Sequence, residues 1–222
     1  MECEKLRKRL MKLESDRYVV QEQWDLIRQY VVPYRGQFFK DTKQEGGVEW
    51  RENRKVFDST APNANNVLSS SLHGAITNPS HQWFGFRFRS DELSDNKEAA
   101  QWLRDCGQIT FETLRDSKFN LQAKEGYIGL TSFGTAFLTR EVLEENNAFE
   151  DFLFKSVPLE EAYFEQDFRG RICHFYRKMR WTATQCVSKF EEDTPDWIKR
   201  RHEANATDAD IDIVFAVYKR DG

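Results

Sequence analysis

The chain has 222 residues, a formal net charge of −4 and a sequence pI of about 5.7. This acidic balance argues against a protein that grips nucleic acid over most of its surface, since that requires a clustered positive field, but it allows a protein that DNA slides past. Hydrophobic residues make up 39% of the chain and include 18 Phe, 7 Tyr and 6 Trp, which excludes a disordered chain although 32% is charged. The length fits one large domain, or one domain with a helical arm.

The first segment predicts a long amphipathic helix that ends at Pro33. Its apolar residues follow one another in steps of three and four, and Arg17 alone interrupts this register. The resulting stripe packs either on the rest of its own domain, the commoner use of such a face, or on a neighbouring subunit. The apolar positions are Leu6, Leu10, Leu13, Val20, Trp24, Ile27 and Val31.

Glycine breakers predict an irregular segment over residues 34–57. A second helix is predicted to start at residues 58–60, whose oxygen-bearing side chains suit a helix cap, with Pro62 in the first turn. It is predicted to stop before Asn78 and Pro79. The alternating phenylalanines of residues 82–89 then predict a strand with one buried face.

Two further helices are predicted, one over about residues 95–116 and one from near Asn120. From Gly134 the apolar period becomes two, which predicts a mostly antiparallel meander with turns at 146–147 and 168–170. The predicted strands cover residues 135–142, 152–157, 162–166, 171–180 and 211–218, and short helices are predicted at 182–190 and 197–204.

Helices that precede strands in this way predict an α+β fold, with N-terminal amphipathic helices followed by a mostly antiparallel sheet. We expect an amphipathic helix at 1–33, a helical part with one strand at 34–133, and a mostly β part with short helices at 134–222. The last two parts are expected to form one domain.

The four cysteines, Cys3, Cys106, Cys173 and Cys186, match neither a zinc-binding spacing nor a small disulfide framework, so we expect reduced structural thiols. No secretory signal opens the chain, and no apolar run approaches the roughly 20 residues of a membrane span. The expected compartment is the cytoplasm or a particle assembled there.

The sequence shows no reactive site. It lacks a Walker A pattern, which excludes a motor that hydrolyses ATP through a phosphate-binding loop. The four histidines have no metal-binding helical spacing. Cys173 and His174 are neighbours in a predicted strand, so we expect their side chains on opposite faces and unable to cooperate. We therefore expect no catalytic residue, no cofactor and no bound metal.

Charged runs give two weaker signals. Glu161, Glu165 and Asp167 share one side of a predicted strand, where they would suit a divalent cation, although solvated strand edges carry such charges routinely. The basic residues 199–201 beside Trp197 are interpreted as a solvated helix face and not as a phosphate contact.

Ten short motifs follow one another along the chain, at residues 24–27, 32–36, 56–62, 68–74, 77–84, 117–120, 132–136, 157–159, 167–170 and 182–185. Each motif alone is weak. In this order and spacing they resemble the N-terminal part of the head-to-tail connector (portal) proteins of short-tailed, podovirus-type phages. The positions that carry the family pattern are expected to be structural, with Trp83, Phe84 and Phe133 in the core. These positions are Trp24, Pro33, Arg35, Gly36, Asp58, Ser59, Thr60, Pro79, Trp83, Phe84, Phe133, Gly134, Pro158 and Gly170.

The resemblance implies a structural subunit, and not an enzyme, in a homo-oligomeric ring of about twelve copies at one capsid vertex. DNA would pass through the ring during packaging and ejection without sequence-specific binding. The implied partners are the capsid protein, the terminase and tail adaptor proteins, with no membrane. The implied location is the virion, at the portal vertex of the capsid, and the host cytoplasm before assembly.

The part resembled is the outer wing of the connector, and family members are much longer. The stem, clip and crown would follow residue 222, so we expect a truncated chain: a prophage remnant, a split gene or a fragment. Two alternatives remain open. One is an Mg-dependent phage nucleic-acid-processing enzyme whose acidic residues converge in a pocket. The other is a monomeric capsid or tail adaptor that docks through the apolar stripe between Leu6 and Val31.

Overall fold

A computed structural model of the chain describes residues 2–34, 57–90, 96–145, 148–204 and 211–218. The chain divides into two compact units, one formed by residues up to 19 together with those from 160 onward, and one formed by residues 20–159. None of the helices within the described ranges has the length and apolar content that a membrane crossing requires.

The described residues form six α-helices and five β-strands. The helices are α1 Glu2–Tyr30, α2 Thr60–Ile76, α3 Lys97–Asp116, α4 Phe119–Phe133, α5 Ala183–Phe190 and α6 Asp196–Glu203. The strands are β1 Phe137–Glu145, β2 Ala148–Val157, β3 Ala162–Gln166, β4 Ile172–Trp181 and β5 Ile211–Tyr218. Strands β1 and β2 pair antiparallel, and β3, β4 and β5 form an antiparallel three-stranded sheet in that order. The predicted α+β class is therefore confirmed.

The predicted strand over residues 82–89 is wrong, since residues 82–88 form neither helix nor strand. This segment lies against α3, where a Cβ atom on Gly107 would come within 2.9 Å of the Gln82 amide nitrogen. The same amide donates a hydrogen bond of 2.8 Å to the carbonyl oxygen of Phe84. The alternating phenylalanines thus belong to a chain laid on a helix and not to a hydrogen-bonded ladder. The predictions for residues 35–56 and for the turn at 146–147 lie outside the described residues.

The three-stranded sheet buries a row of paired side chains beneath α1. Tyr163 on β3 pairs with Tyr176 on β4, which pairs with Ala216 on β5. Leu10 of α1 packs with both tyrosines in one core cluster, and Tyr176 is fully buried. Because alternate residues of a strand point to opposite faces, Trp181 and Ile211 face the other side of the sheet. There they pack with Ala183 and Cys186 of α5 and Ile198 of α6.

Arg17 is buried at the end of this α1 contact, with 8% of its surface exposed. Its guanidinium Nη1 donates to the carbonyl oxygens of Glu160 (3.0 Å) and Ala162 (3.4 Å). The guanidinium carbon lies 4.6 Å from the centroid of the Tyr163 ring. Burial lowers the pKa of Arg17, and Tyr163 and Glu160 oppose that effect. Arg17, which interrupts the apolar register in the sequence, therefore lies on the covered stripe of α1 and makes directional contacts there.

We predict that Arg17→Ala lowers the free energy of unfolding by about 2–3 kcal/mol, because it removes charge-assisted hydrogen bonds to two partly buried carbonyls. Urea denaturation followed by circular dichroism measures the loss. The control is Arg7→Ala, an exposed arginine of the same helix, which should change stability by less than about 0.5 kcal/mol. Equal losses in the two variants would contradict the assignment.

Candidate functional site

A row of polar contacts follows α1 along β4. Arg9 contacts the His174 ring through Nη1, and Leu10 and Leu13 beside it cover Tyr176. Further along α1, Glu14 accepts a 2.7 Å hydrogen bond from Lys178 of β4, and this bond raises the pKa of Lys178. The contacted residues of β4 are His174, Tyr176 and Lys178, every second residue, as expected for side chains that share one face of a strand. The row fixes the register of α1 on the sheet.

A β-bulge lies at the start of β4. The pairing of β3 and β4 shifts so that Glu165 pairs with His174 and Gln166 pairs with Ile172, which leaves Cys173 as the extra residue. Cys173 Sγ lies 3.2 Å from His174 Nδ1, and Glu165 Oε2 lies 3.1 Å from the same nitrogen. The prediction that Cys173 and His174 are kept apart on opposite faces is therefore wrong, because the bulge breaks the alternation on which it depended.

The acidic residues 160–167 do not converge. Glu161 forms a 2.7 Å ion pair with Arg177, and Asp167 accepts hydrogen bonds from the backbone N–H groups of Arg169 and Arg171. Glu165 instead joins Cys173 and His174, and the ligand atoms of these three lie within 4.8 Å of one another. The carboxylate set that an Mg-dependent enzyme requires is thus dispersed onto separate partners.

The basic run at residues 199–201 makes local contacts within its own unit. Arg201 lies over the Trp197 ring at 5.3 Å from its centroid, and Lys199 donates to the carbonyl oxygen of Glu192 at 3.0 Å. Arg200 and Arg201 are exposed. The interpretation of this run as a solvated helix face stays a prediction.

In the unit of residues 20–159, an aromatic row connects the segment 82–88, α4 and β2. Trp83 stacks on Phe119 at 6.1 Å, and Phe119 meets Phe154 edge-on at 5.1 Å. Phe152 continues the row at 6.0 Å from Phe154, and Phe149 lies 4.9 Å beyond. The centre is buried, with Phe154 7% exposed, whereas Trp83 and Phe149 at the ends are 39% and 53% exposed. The expected core position of Trp83 is therefore wrong, because it lies on a segment that covers other rings from outside.

Several family-pattern positions lie where the backbone turns. Asp58 accepts hydrogen bonds from the backbone N–H (2.9 Å) and hydroxyl (2.7 Å) of Thr60 at the start of α2, and these bonds lower the pKa of Asp58. Gly134 ends α4 with φ 73°, and Gly170 has φ 74° in the turn before β4. Both glycines adopt the left-handed conformation, which costs other residues more.

The other family-pattern positions differ in burial. Arg35 and Gly36 lie outside the described residues. Ser59 and Pro79 are exposed beside the two ends of α2. The half-buried positions are Trp24 in α1, Pro33 after it, Phe84, Phe133 at the end of α4, and Pro158 after β2.

A model of the bacteriophage head to tail connecting protein family matches residues 3–222. The chain belongs to this family. It is 27% identical over 181 residues to a probable portal protein of Bordetella phage BPP-1. The aligned region covers 82% of this chain and 31% of that protein. It is 24% identical over 193 residues to a portal protein of Salmonella phage epsilon15. Here the aligned region covers 86% of this chain and 33% of that protein. This connector-family chain thus spans about a third of the length of the curated relatives it matches.

We predict that Phe154→Ala destabilises this connector-family chain by about 3 kcal/mol, because it leaves a cavity at the buried centre of the aromatic row. Thermal and urea denaturation measure the change. The matched control is Phe149→Ala at the exposed end of the same strand, for which we expect a loss below about 1 kcal/mol. If Phe149→Ala were the more damaging change, the row would not be organised around Phe154.

Proposed function

We propose that this chain is a structural subunit of a phage portal ring at one capsid vertex, where it forms part of the DNA conduit and of the attachment point for the tail. The observation that carries this proposal is the family match over residues 3–222, together with relatives named as portal proteins in two phages. The part represented here corresponds, in this proposal, to a wing built from residues 34–222 beside an N-terminal helix at 1–33.

Ring closure sets a physical requirement that the chain is suited to meet. A cyclic assembly of one kind of subunit uses two different surfaces on each copy. Interface centres are enriched in aromatic side chains. The exposed ends of the aromatic row supply such side chains in one unit, and Phe215 and Val217, which are 50% and 52% exposed on β5, supply apolar surface in the other. These surfaces support self-association.

The proposed role needs no catalysis. The carboxylates that an Mg-dependent enzyme would use are spread over separate partners, which favours the structural role. We propose that the capsid protein, terminase and tail adaptors are the partners, in the virion and, before assembly, in the host cytoplasm.

We predict that the longest open reading frame that contains these 222 residues yields closed rings of about twelve subunits. Mass photometry and negative-stain imaging of that product and of the 222-residue chain test this prediction. Rings from the longer product support the proposal, whether or not the shorter chain closes alone. Monomers from both products at micromolar concentration would count decisively against a portal ring and in favour of a monomeric adaptor.

A nuclease assay separates the enzyme alternative from the structural one. Linear and single-stranded DNA are incubated with the chain and Mg²⁺, beside Glu165→Ala and Asp167→Ala variants. We expect no cleavage above a buffer control. Cleavage that both substitutions abolish would replace the structural proposal with the enzyme.

A further inference from the structure

We propose that Glu165, Cys173 and His174 form a binding site for one divalent transition-metal ion, and that zinc is the ion its ligands favour. The three residues offer a carboxylate oxygen, a thiol sulfur and an imidazole nitrogen, all within 4.8 Å of one another. Thiolate and imidazole together select zinc over magnesium, which prefers oxygen ligands alone. The inference concerns only the unit that contains β3 and β4, and it does not depend on ring formation.

The arrangement of the donor atoms distinguishes a metal site from a catalytic triad. In a triad, one imidazole nitrogen faces the nucleophile and the other faces the carboxylate. Here the Cys173 sulfur and the Glu165 oxygen both face the same nitrogen, His174 Nδ1, at 3.2 and 3.1 Å. Two groups that face the same ring nitrogen cannot relay a proton through the ring in sequence, but together with that nitrogen they can share a cation.

The spacing fits an ion after a small opening. Zinc bonds of about 2.0–2.3 Å in a tetrahedral site place neighbouring ligand atoms about 3.3–3.7 Å apart. The distances from His174 Nδ1 to Cys173 Sγ (3.2 Å) and to Glu165 Oε2 (3.1 Å) lie just below this range, so a small outward movement of the ligands would admit the ion. The bulge supplies the geometry, because it places Cys173 beside the register pair of Glu165 and His174 instead of on the far face.

One of the donor atoms also lacks a suitable partner. Glu165 Oε2 is inaccessible to solvent, and within the described part of the chain no group donates a well-directed hydrogen bond to it, although His174 Nδ1 lies close by. A shielded carboxylate oxygen without a well-directed donor is costly, although the rest of the Glu165 side chain is partly exposed. A bound cation would satisfy this oxygen and would also stabilise the Cys173 thiolate, so that two negative ligands balance its two charges.

The site has room for a further ligand. A cavity of about 430 Å³ is lined by Cys173 and His174 together with Asp167, Phe175 and Tyr218. The side chains of His174 and Glu165 are 15% and 42% exposed, so the ion would be partly shielded while one side stays open to water. Three protein ligands with one open position are typical of zinc sites that keep a bound water.

Arg9 of α1 competes with the proposed ion. Its guanidinium contacts His174 Nε2, which can accept this contact only while the ring proton is on Nδ1. When Nδ1 binds a metal, the neutral ring carries its proton on Nε2, and two donors then face each other. Metal binding and the Arg9 contact therefore exclude each other. Replacing Arg9 with glutamine removes the guanidinium donor that faces Nε2 and a nearby positive charge.

The test is a titration of the full 222-residue chain with Co²⁺, a spectroscopic substitute for zinc, followed by displacement with Zn²⁺. We expect a thiolate-to-cobalt charge-transfer band that saturates at one ion per chain and disappears when zinc is added. Cys173→Ser should abolish the band, and Glu165→Gln should weaken affinity about tenfold or more. Cys3→Ser, which removes the exposed cysteine of α1, is the matched control and should leave the band unchanged.

The Arg9→Gln variant gives a second, independent readout, since we expect it to bind Co²⁺ several-fold more tightly than the unsubstituted chain. No charge-transfer band in the unsubstituted chain would overturn the site, and so would a band lost with Cys3→Ser and kept with Cys173→Ser. If Cys173→Ser fails to fold by circular dichroism, the Arg9→Gln titration decides: unchanged or weaker affinity overturns the proposal. Ring formation is measured separately, so failure here leaves the portal role standing.

Discussion

The burial of the Arg17 guanidinium against the start of β3 is the contact on which the arrangement of α1 and the sheet depends. A guanidinium removed from water must find acceptors, and the carbonyl oxygens of Glu160 and Ala162 supply them. The two ends of this contact lie more than 140 residues apart in sequence. Apolar packing of Leu10 on Tyr163 and Tyr176 is less selective about register, so the directional bonds of Arg17, together with the polar row along β4, set where along the sheet the helix lies.

Much of the fold follows from periodicity. The switch from a helical repeat to a two-residue repeat near Gly134 locates the boundary between helices and strands, and β3 and β5 have the predicted bounds. The same reasoning failed at residues 82–88, because alternation is also produced by an extended segment that packs one side on a helix. An apolar stripe shows that a face of α1 is covered but not by what. The sequence pattern alone therefore marks Arg17 as an interruption, whereas its acceptors show that it belongs to the covered face.

The candidate site was less predictable. Alternation along the predicted strand places Glu161, Glu165 and Asp167 on one side, but each carboxylate contacts a different partner. The pairing of Glu161 with Arg177 depends on the register between two strands, which no local sequence pattern encodes. The bulge at Cys173 is equally invisible in sequence, since one extra residue in a strand leaves the composition unchanged. The α+β class could be inferred from the residues, whereas the connector family required the succession of motifs.

The unit that holds the three-stranded sheet is discontinuous, since it joins residues up to 19 with residues from 160 onward. On the ribosome, the apolar side chains of Leu6 and Leu10 emerge well before the strands that cover them, because β3 begins only at Ala162. Residues 20–159 are complete before that time and are free to fold as the earlier unit, in keeping with the N-terminal-first order of synthesis. The loop that must then close is long, and its entropic cost rises only slowly with length. Vectorial synthesis therefore leaves the apolar face of α1 uncovered until β3, β4 and β5 have been made.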